Sequence, residues 1–295
     1  MSQTVGFVGL GTMGGPMAGH LQSAGQRLVV WNRTAAKSQP LQEAGATIAE
    51  SLAELAQQCD VIAMCVNRTE DVRECLAQII PNAKPGTLII DHSTISPAET
   101  PAIGAELAAA GLRFVDAPVT GGSMGAQKGT LTVFLGGEPA DTAEAEAIIA
   151  PYSKRVARVG GVGSGQMMKM ANQIAVGGAL MALCECLAFA HKAGLDIAQA
   201  REMINTGAGG SWAFENYGPM ILKQDWTPGF SVKNQRKDFA YCFEAAEVLG
   251  AQLPGTTVVD QLLGTLAAQG HNELTTAKLY ELLAGTESSE ASLAE

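Results

Sequence analysis

Three glycines near the amino end, Gly9, Gly11 and Gly14, stand at the spacing that lets a backbone turn sharply and lie against a pyrophosphate. Gly9 would permit the turn, Gly11 the close approach, and Gly14 the packing of a helix on the preceding strand. Leu10, Thr12 and Met13 complete the loop, and a helix opening there would present unpaired N–H groups and a positive dipole end to phosphates. The context strengthens the motif: it follows the apolar run Val5-Gly6-Phe7-Val8 and precedes Met17, Leu21 and Ala24 at helical spacing. This is the pattern of a dinucleotide site.

The next apolar run, Arg27 to Trp31, should end beside the adenosine ribose, where an acidic residue would accept from a 2′-hydroxyl. Asn32, Arg33 and Thr34 stand there instead. A carboxylate would repel a 2′-phosphate and a guanidinium would pair with it, so the expected cofactor is NADP in preference to NAD.

Short apolar runs then alternate with helical patterns: 60–66, 87–90, 113–115, 130–135 and 155–159 read as strands, with helices near 51–58, 69–80, 97–110 and 139–150. Such alternation means βαβ units and a mainly parallel sheet. The expected fold is an α/β Rossmann-type N-terminal domain over residues 1–161. Beyond Gly165 no strand-like run survives. A helix from Gln166 to about Lys192, on the order of 40 Å long at 1.5 Å per residue, would occupy an interdomain segment at 162–192. An all-α C-terminal substrate and oligomerisation domain at 193–286 and a small, polar, flexible tail at 287–295 would follow.

With 295 residues, 47% of them hydrophobic and 16% charged, the chain has material for two cores. A formal net charge of -10 disfavours nucleic acid or an anionic membrane as partner. Ile174 to Ala190 is apolar but contains Glu185 and falls short of the roughly 20 residues that span a bilayer, so a buried helix is expected. Six cysteines without a CxxC pair or zinc-like spacing read as buried thiols in a reducing compartment, and with no signal-peptide pattern the expected location is the cytoplasm. No residue is expected to bind a metal.

Three further segments concentrate polar groups: Asp116 to Gly122, Gly163 to Gln173 and Lys233 to Asp238. With the glycine turn, these resemble, in order and over nearly the whole chain, the signatures of the β-hydroxyacid dehydrogenase family. The family includes 3-hydroxyisobutyrate dehydrogenases, tartronate semialdehyde reductases and glyoxylate/succinic semialdehyde reductases. The resemblance implies an active site between the two domains and subunits associating as a homodimer or homotetramer. It also implies that Lys169 is the catalytic acid/base, that Thr120, Gly121 and Gly122 hold a substrate carboxylate, and that Lys237 lies near substrate and cofactor. Cys65, Val66 and Thr94 would border the nucleotide. Asn172 and Gln173 follow Lys169 by three and four residues and are expected at the substrate; many relatives have asparagine where Gln173 stands.

As an ammonium, Lys169 could give the proton that carbonyl reduction requires. The leading expectation is therefore NADPH-dependent reduction of a small carboxylated aldehyde, with 3-hydroxyisobutyrate oxidation as the alternative. An imine reductase or a non-catalytic nucleotide-binding module rank lower because Lys169 is retained. His92, where relatives commonly carry methionine, is expected to pack or hold a loop. Trp212 and Phe214, after a glycine-rich stretch, are read equally well as a cover over substrate or as core; Phe230 and Phe239 are read as core.

Overall fold

A computed structural model describes residues 3–286, so the expected tail at 287–295 lies outside the described residues. The chain divides into two compact units, Met1–Met170 and Ala171–Glu295.

The first unit is built on one nine-stranded sheet. Its strands are β1 (Thr4–Val8), β2 (Arg27–Trp31), β3 (Thr47–Ile48), β4 (Val61–Met64), β5 (Leu88–Asp91), β6 (Arg113–Asp116), β7 (Val119–Thr120), β8 (Leu131–Gly136) and β9 (Ser153–Gly160). They run in the order β3-β2-β1-β4-β5-β6-β8-β7, with β9 also paired to β8. The six strands from β3 to β6 are parallel, and their 3-2-1-4-5-6 order is that of a Rossmann sheet. β8 is antiparallel to β6 and β7 and parallel to β9. The two-residue strands β3 and β7 are too short to leave a pattern in sequence and were not expected.

Two apolar clusters cover the two faces of this sheet, as successive side chains on a strand must. On β1, Val5 and Phe7 join Met17, Leu21, Ile149 and Tyr152. Val8 belongs instead with Leu52, Leu55, Ile62, Met64, Val72 and Ile79. The helices Leu52–Gln58, Thr69–Ile79, Thr100–Ala109 and Pro139–Ile149 fall within a few residues of their expected places. Ser51 starts the first of them by accepting from the Glu54 amide through its side chain.

A single helix runs from Ser164 to Lys192, and the division between the two units falls inside it. By length and composition it is long and apolar enough to cross a membrane, so the expectation based on the shorter stretch Ile174 to Ala190 needs correction. Leu180, Leu183, Cys184 and Leu187 are fully buried within the protein, as in the core helix of a globular domain, while Glu185 is exposed.

Among the described residues the second unit contains helices and one isolated bridge, Ser231 to Thr275, but no strand. Its longest helix after residue 192 is Val232–Leu249, opened by the Ser231 side chain accepting from Asn234 and closed by Gly250 in the left-handed region. Phe239 and Phe214 are buried, but Phe230 is partly exposed and Trp212 is 46% exposed, edge-on to Tyr217. Neither of the last two is a core residue. All six cysteines are free; four are buried, whereas Cys65 and Cys186 are partly accessible.

Candidate active site

The glycine turn occupies the gap between the end of β1 and the helix Gly14–Ser23. Gly9 has φ +91°, and a Cβ there would lie 2.4 Å from the Cys65 carbonyl oxygen. A Cβ on Gly14 would lie 1.9 Å from the Gly9 carbonyl oxygen. Both positions therefore require glycine for the protein's own packing. Gly11 differs: a Cβ would meet no protein atom within 4 Å. The helix beyond has no side-chain cap at Met13 and no acidic residue in its first turn. A cradle open at Gly11 and a helix end uncapped by any side chain fit a pyrophosphate.

The surrounding strands fasten this turn. The Gly9 amide donates to Trp31 O at 3.1 Å. Asn32 Oδ1 accepts from the Leu10 amide at 2.8 Å while its Nδ2 donates to Thr34 O at 2.9 Å. Asn32 thus holds the turn in shape, a role its sequence position did not reveal. Cys65 and Val66 lie beside Gly9, with the Val66 amide donating to Ser93 Oγ at 2.9 Å. Thr94 is the next residue along and is partly exposed. The Arg33 side chain is 83% exposed and Nη1 stands 3.7 Å from Asp71 Oδ1, a pairing worth little at such exposure.

At the same carboxyl end of the sheet, where Val8, Met64, Asp91 and Asp116 lie in one register row, β6 leads into the segment Asp116 to Gly122. Thr120 closes β7, and Gly121 and Gly122 follow at φ +123° and +65°, values that L side chains rarely adopt. Their amide groups can therefore be turned toward an anion in a way other residues would resist. Lys169 is 7% exposed, and its Nζ donates to Val119 O at 2.8 Å. The amine is thus fixed to the residue immediately before Thr120.

Asp116 explains why the lysine sits there. Its carboxylate is fully buried and accepts from the Gly163 amide at 2.7 Å and the Gln166 amide at 2.9 Å, capping the Ser164–Lys192 helix. Burial pushes its pKa up to about 6, partly opposed by these amide donors. His92 holds the start of the segment. Its Nδ1 lies 2.7 Å from Ala117 O, an acceptor, so Nδ1 carries the proton and Nε2 accepts from Tyr152 Oη at 2.8 Å. Burial lowers the His92 pKa to about 4, which keeps this neutral tautomer in place. The expected loop-holding role of His92 therefore has a concrete form.

In the second unit, Asn172 Nδ2 donates to Gln173 Oε1 at 2.9 Å, and Gln173 Nε2 donates to Asp238 Oδ2 at 2.7 Å. Asp238 Oδ1 stands 3.1 Å from Lys237 Nζ. Asn172, Gln173 and Lys237 are thus joined through Asp238. The extra methylene of Gln173 lets its amide reach that carboxylate, and both ends of the amide are engaged. Asp238, Asp116 and Gln166 were present in the polar segments of the sequence but had no assigned role there. Capping and side-chain bridging depend on tertiary placement, so spacing carried no sign of them.

The fold and turn together define a dinucleotide-binding protein of the Rossmann class. Residues 4–161 match the family described as the NAD binding domain of 6-phosphogluconate dehydrogenase. Residues 163–283 match that described as NAD-binding of NADP-dependent 3-hydroxyisobutyrate dehydrogenase. The chain is 37% identical over 279 residues to the probable 3-hydroxyisobutyrate dehydrogenase-like 1, mitochondrial, of Arabidopsis thaliana, covering 93% of this chain and 83% of the relative. It is 34% identical over 282 residues to 2-hydroxy-3-oxopropionate reductase of Escherichia coli, covering 95% and 96%. A solved structure, Mycobacterium tuberculosis 3-hydroxyisobutyrate dehydrogenase with L-serine, superposes with TM-score 0.87 at 28% identity, covering 96% of this chain and 99% of the other. The chain belongs to the β-hydroxyacid dehydrogenase family and is an NAD(P)-binding oxidoreductase.

Proposed function

We propose that the protein is an NADPH-dependent reductase of a small carboxylated aldehyde, such as glyoxylate or a three- or four-carbon semialdehyde, with Lys169 as general acid. The observation that carries this reading is the short path from proton donor to anion holder: Lys169 Nζ bonded to Val119 O, directly before Thr120-Gly121-Gly122. A reduced nicotinamide supplies hydride to a carbonyl carbon. Lys169 then delivers a proton to the carbonyl oxygen, and in the reverse direction the neutral amine accepts it. Thr120 Oγ and the Gly121 and Gly122 amides hold the substrate carboxylate, fixing its distance from the lysine. Asn172, Gln173 and Lys237, organised by Asp238, make up the rest of the substrate contact.

Arg33 is assigned to the 2′-phosphate of NADP, supported by its exposed side chain and by the absence of an acid immediately after Trp31. Leu10, Thr12, Met13, Gly14, Thr34, Cys65, Val66 and Thr94 complete the proposed nucleotide contact. The name of the Escherichia coli relative favours an unbranched semialdehyde. Those of the Arabidopsis relative and the mycobacterial structure favour 3-hydroxyisobutyrate, which stands as the second reading. The proposal extends to a cytoplasmic homodimer or homotetramer. Its formal charge of -10 speaks against anionic partners such as nucleic acid or acidic lipid.

The test follows nicotinamide absorbance with NADPH and NADH against glyoxylate, succinic, tartronate and methylmalonate semialdehydes. Fast NADPH oxidation with one unbranched substrate is expected. Turnover with NADH alone overturns the Arg33 assignment, and no turnover with any substrate overturns the reductase reading. In Lys169→Ala, turnover should fall by about 10²–10⁴ while NADPH affinity changes little; unchanged turnover removes Lys169 from the mechanism.

A further inference from the structure

We infer that Gln166 is a positioning residue that ties the nucleotide-side strand ends to the turn of helix bearing Lys169. Its side chain is fully buried and bonded at both ends: Oε1 accepts from the Ile95 amide at 3.2 Å, and Nε2 donates to Ser93 O at 2.8 Å. Its own amide is the one that donates to the Asp116 carboxylate at 2.9 Å. Ser93 continues the connection, since its Oγ accepts from Val66, beside Gly9. One amide side chain therefore joins the start of the lysine helix to the chain after β5, and the Ser93 hydroxyl carries the connection on to the chain after β4.

The geometry makes this a matter of register as well as of packing. Lys169 lies three residues after Gln166, less than one helical turn, so rotation or sliding of the helix start moves Nζ against Val119 O and the glycine pair. A displacement of about 1 Å in a reacting group can cost 10²-fold in rate. An amide can donate to a carbonyl and accept from an N–H at one place without having to hold a titrating proton. Each alternative loses a partner. Leucine or methionine leaves both backbone groups unpaired in a buried place, and an ionised carboxylate sets an oxygen against Ser93 O with no proton between them.

The test is Gln166→Glu, of nearly identical shape. A protonated glutamic acid donates to Ser93 O and accepts from Ile95 N, so it restores both bonds, whereas the ionised form breaks one. Titratable groups around this segment include Asp91, which accepts from the Ser93 amide, Asp116, His92 with its partner Tyr152, Cys65 and Lys169. They are common to variant and wild type, so results are read as variant-to-wild-type ratios. At pH 8 the expected kcat ratio is about one tenth or less, with NADPH binding, followed by fluorescence titration, also weakened. As pH falls to 6, both ratios should rise at least about threefold toward one.

Gln166→Met, which fits the same volume without a titrating group, should lose comparable rate and affinity with ratios independent of pH; it also serves if the glutamate variant does not fold. Wild-type kcat and NADPH affinity in Gln166→Met, or a Gln166→Glu ratio flat with pH, overturns the inference. The inference rests on the reductase reading only for kcat. Wild-type protein inactive on every aldehyde would sink that reading, while the NADPH-binding ratio would still decide the role of Gln166.

Discussion

Two glycine turns in the first unit each lead a strand into a helix, at Gly9–Gly14 and at Gly160–Gly165, yet their helix ends are used in opposite ways. The first has no side-chain cap and no acid in its opening turn. The second is filled from within, because the Asp116 carboxylate accepts from Gly163 and Gln166. Both present the partial positive charge of unsatisfied amides. The first leaves it to a dinucleotide, and the second spends it on an internal anion that fixes the lysine helix. A glycine-rich turn before a helix is therefore no sign of a ligand until the occupant of its amides is known.

The largest effect should come from removing the packing that only glycine allows in the first turn. In Gly14→Ala the new Cβ would lie 1.9 Å from a backbone oxygen, so strand end or helix must move. A loss of about 3–5 kcal/mol in stability is expected, and NADPH affinity should fall below detection. Retention of wild-type affinity in a titration would show that the turn does not set the nucleotide site.

A smaller effect tests the internal anion. The Asp116 pKa is raised from its ordinary 3.8 to about 6, so the native state binds more protons than the unfolded chain between those values. Its contribution to stability is therefore full below pH 3.8 and is lost as pH rises through 6, by about 3 kcal/mol. His92 has the opposite sign: its pKa falls from 6.5 to about 4, so its contribution is full above pH 6.5 and lost as pH falls through 4, again by about 3 kcal/mol. Between pH 4 and 6 the two nearly cancel. Denaturant titrations should reveal each alone. Relative to wild type, Asp116→Asn should gain stability as pH rises across that window, and His92→Asn should lose it. Parallel curves for all three proteins would mean that neither group titrates as its burial requires.

This balance also marks what the sequence made legible. The alternation of strands and helices through the first unit, the glycine spacing and the change to an all-helical second unit rest on local patterns that sequence displays directly. Lys169 stood out through the family resemblance carried by the segment Gly163 to Gln173. The groups that hold it were hidden for a different reason. Asp116 and Gln166 are 50 residues apart, Gln166 and Ser93 are 73 apart, and His92 and Tyr152 are 60 apart. Each is an ordinary polar residue until the sheet brings its partner to it. Gln173 shows the same limit: its departure from asparagine was visible, but the reach to Asp238 that explains it was not.

The smallest effect on the fold is the most selective test of the comparison. Gly11 has no protein atom within 4 Å of where a Cβ would stand, and its backbone is outside the left-handed region. Gly11→Ala should therefore leave stability within about 0.5 kcal/mol of wild type, as for other substitutions that meet nothing. If the open space at Gly11 is where the pyrophosphate lies, that single methyl group keeps the phosphates from the helix amides, and NADPH affinity should fall about tenfold or more, a loss of about 1.4 kcal/mol. Unchanged affinity in a variant of wild-type stability would mean that the turn's openness serves no ligand, and the contrast between the two helix ends would reduce to a difference in capping. A parallel loss of affinity and stability would place Gly11 with Gly14, as a residue kept for packing.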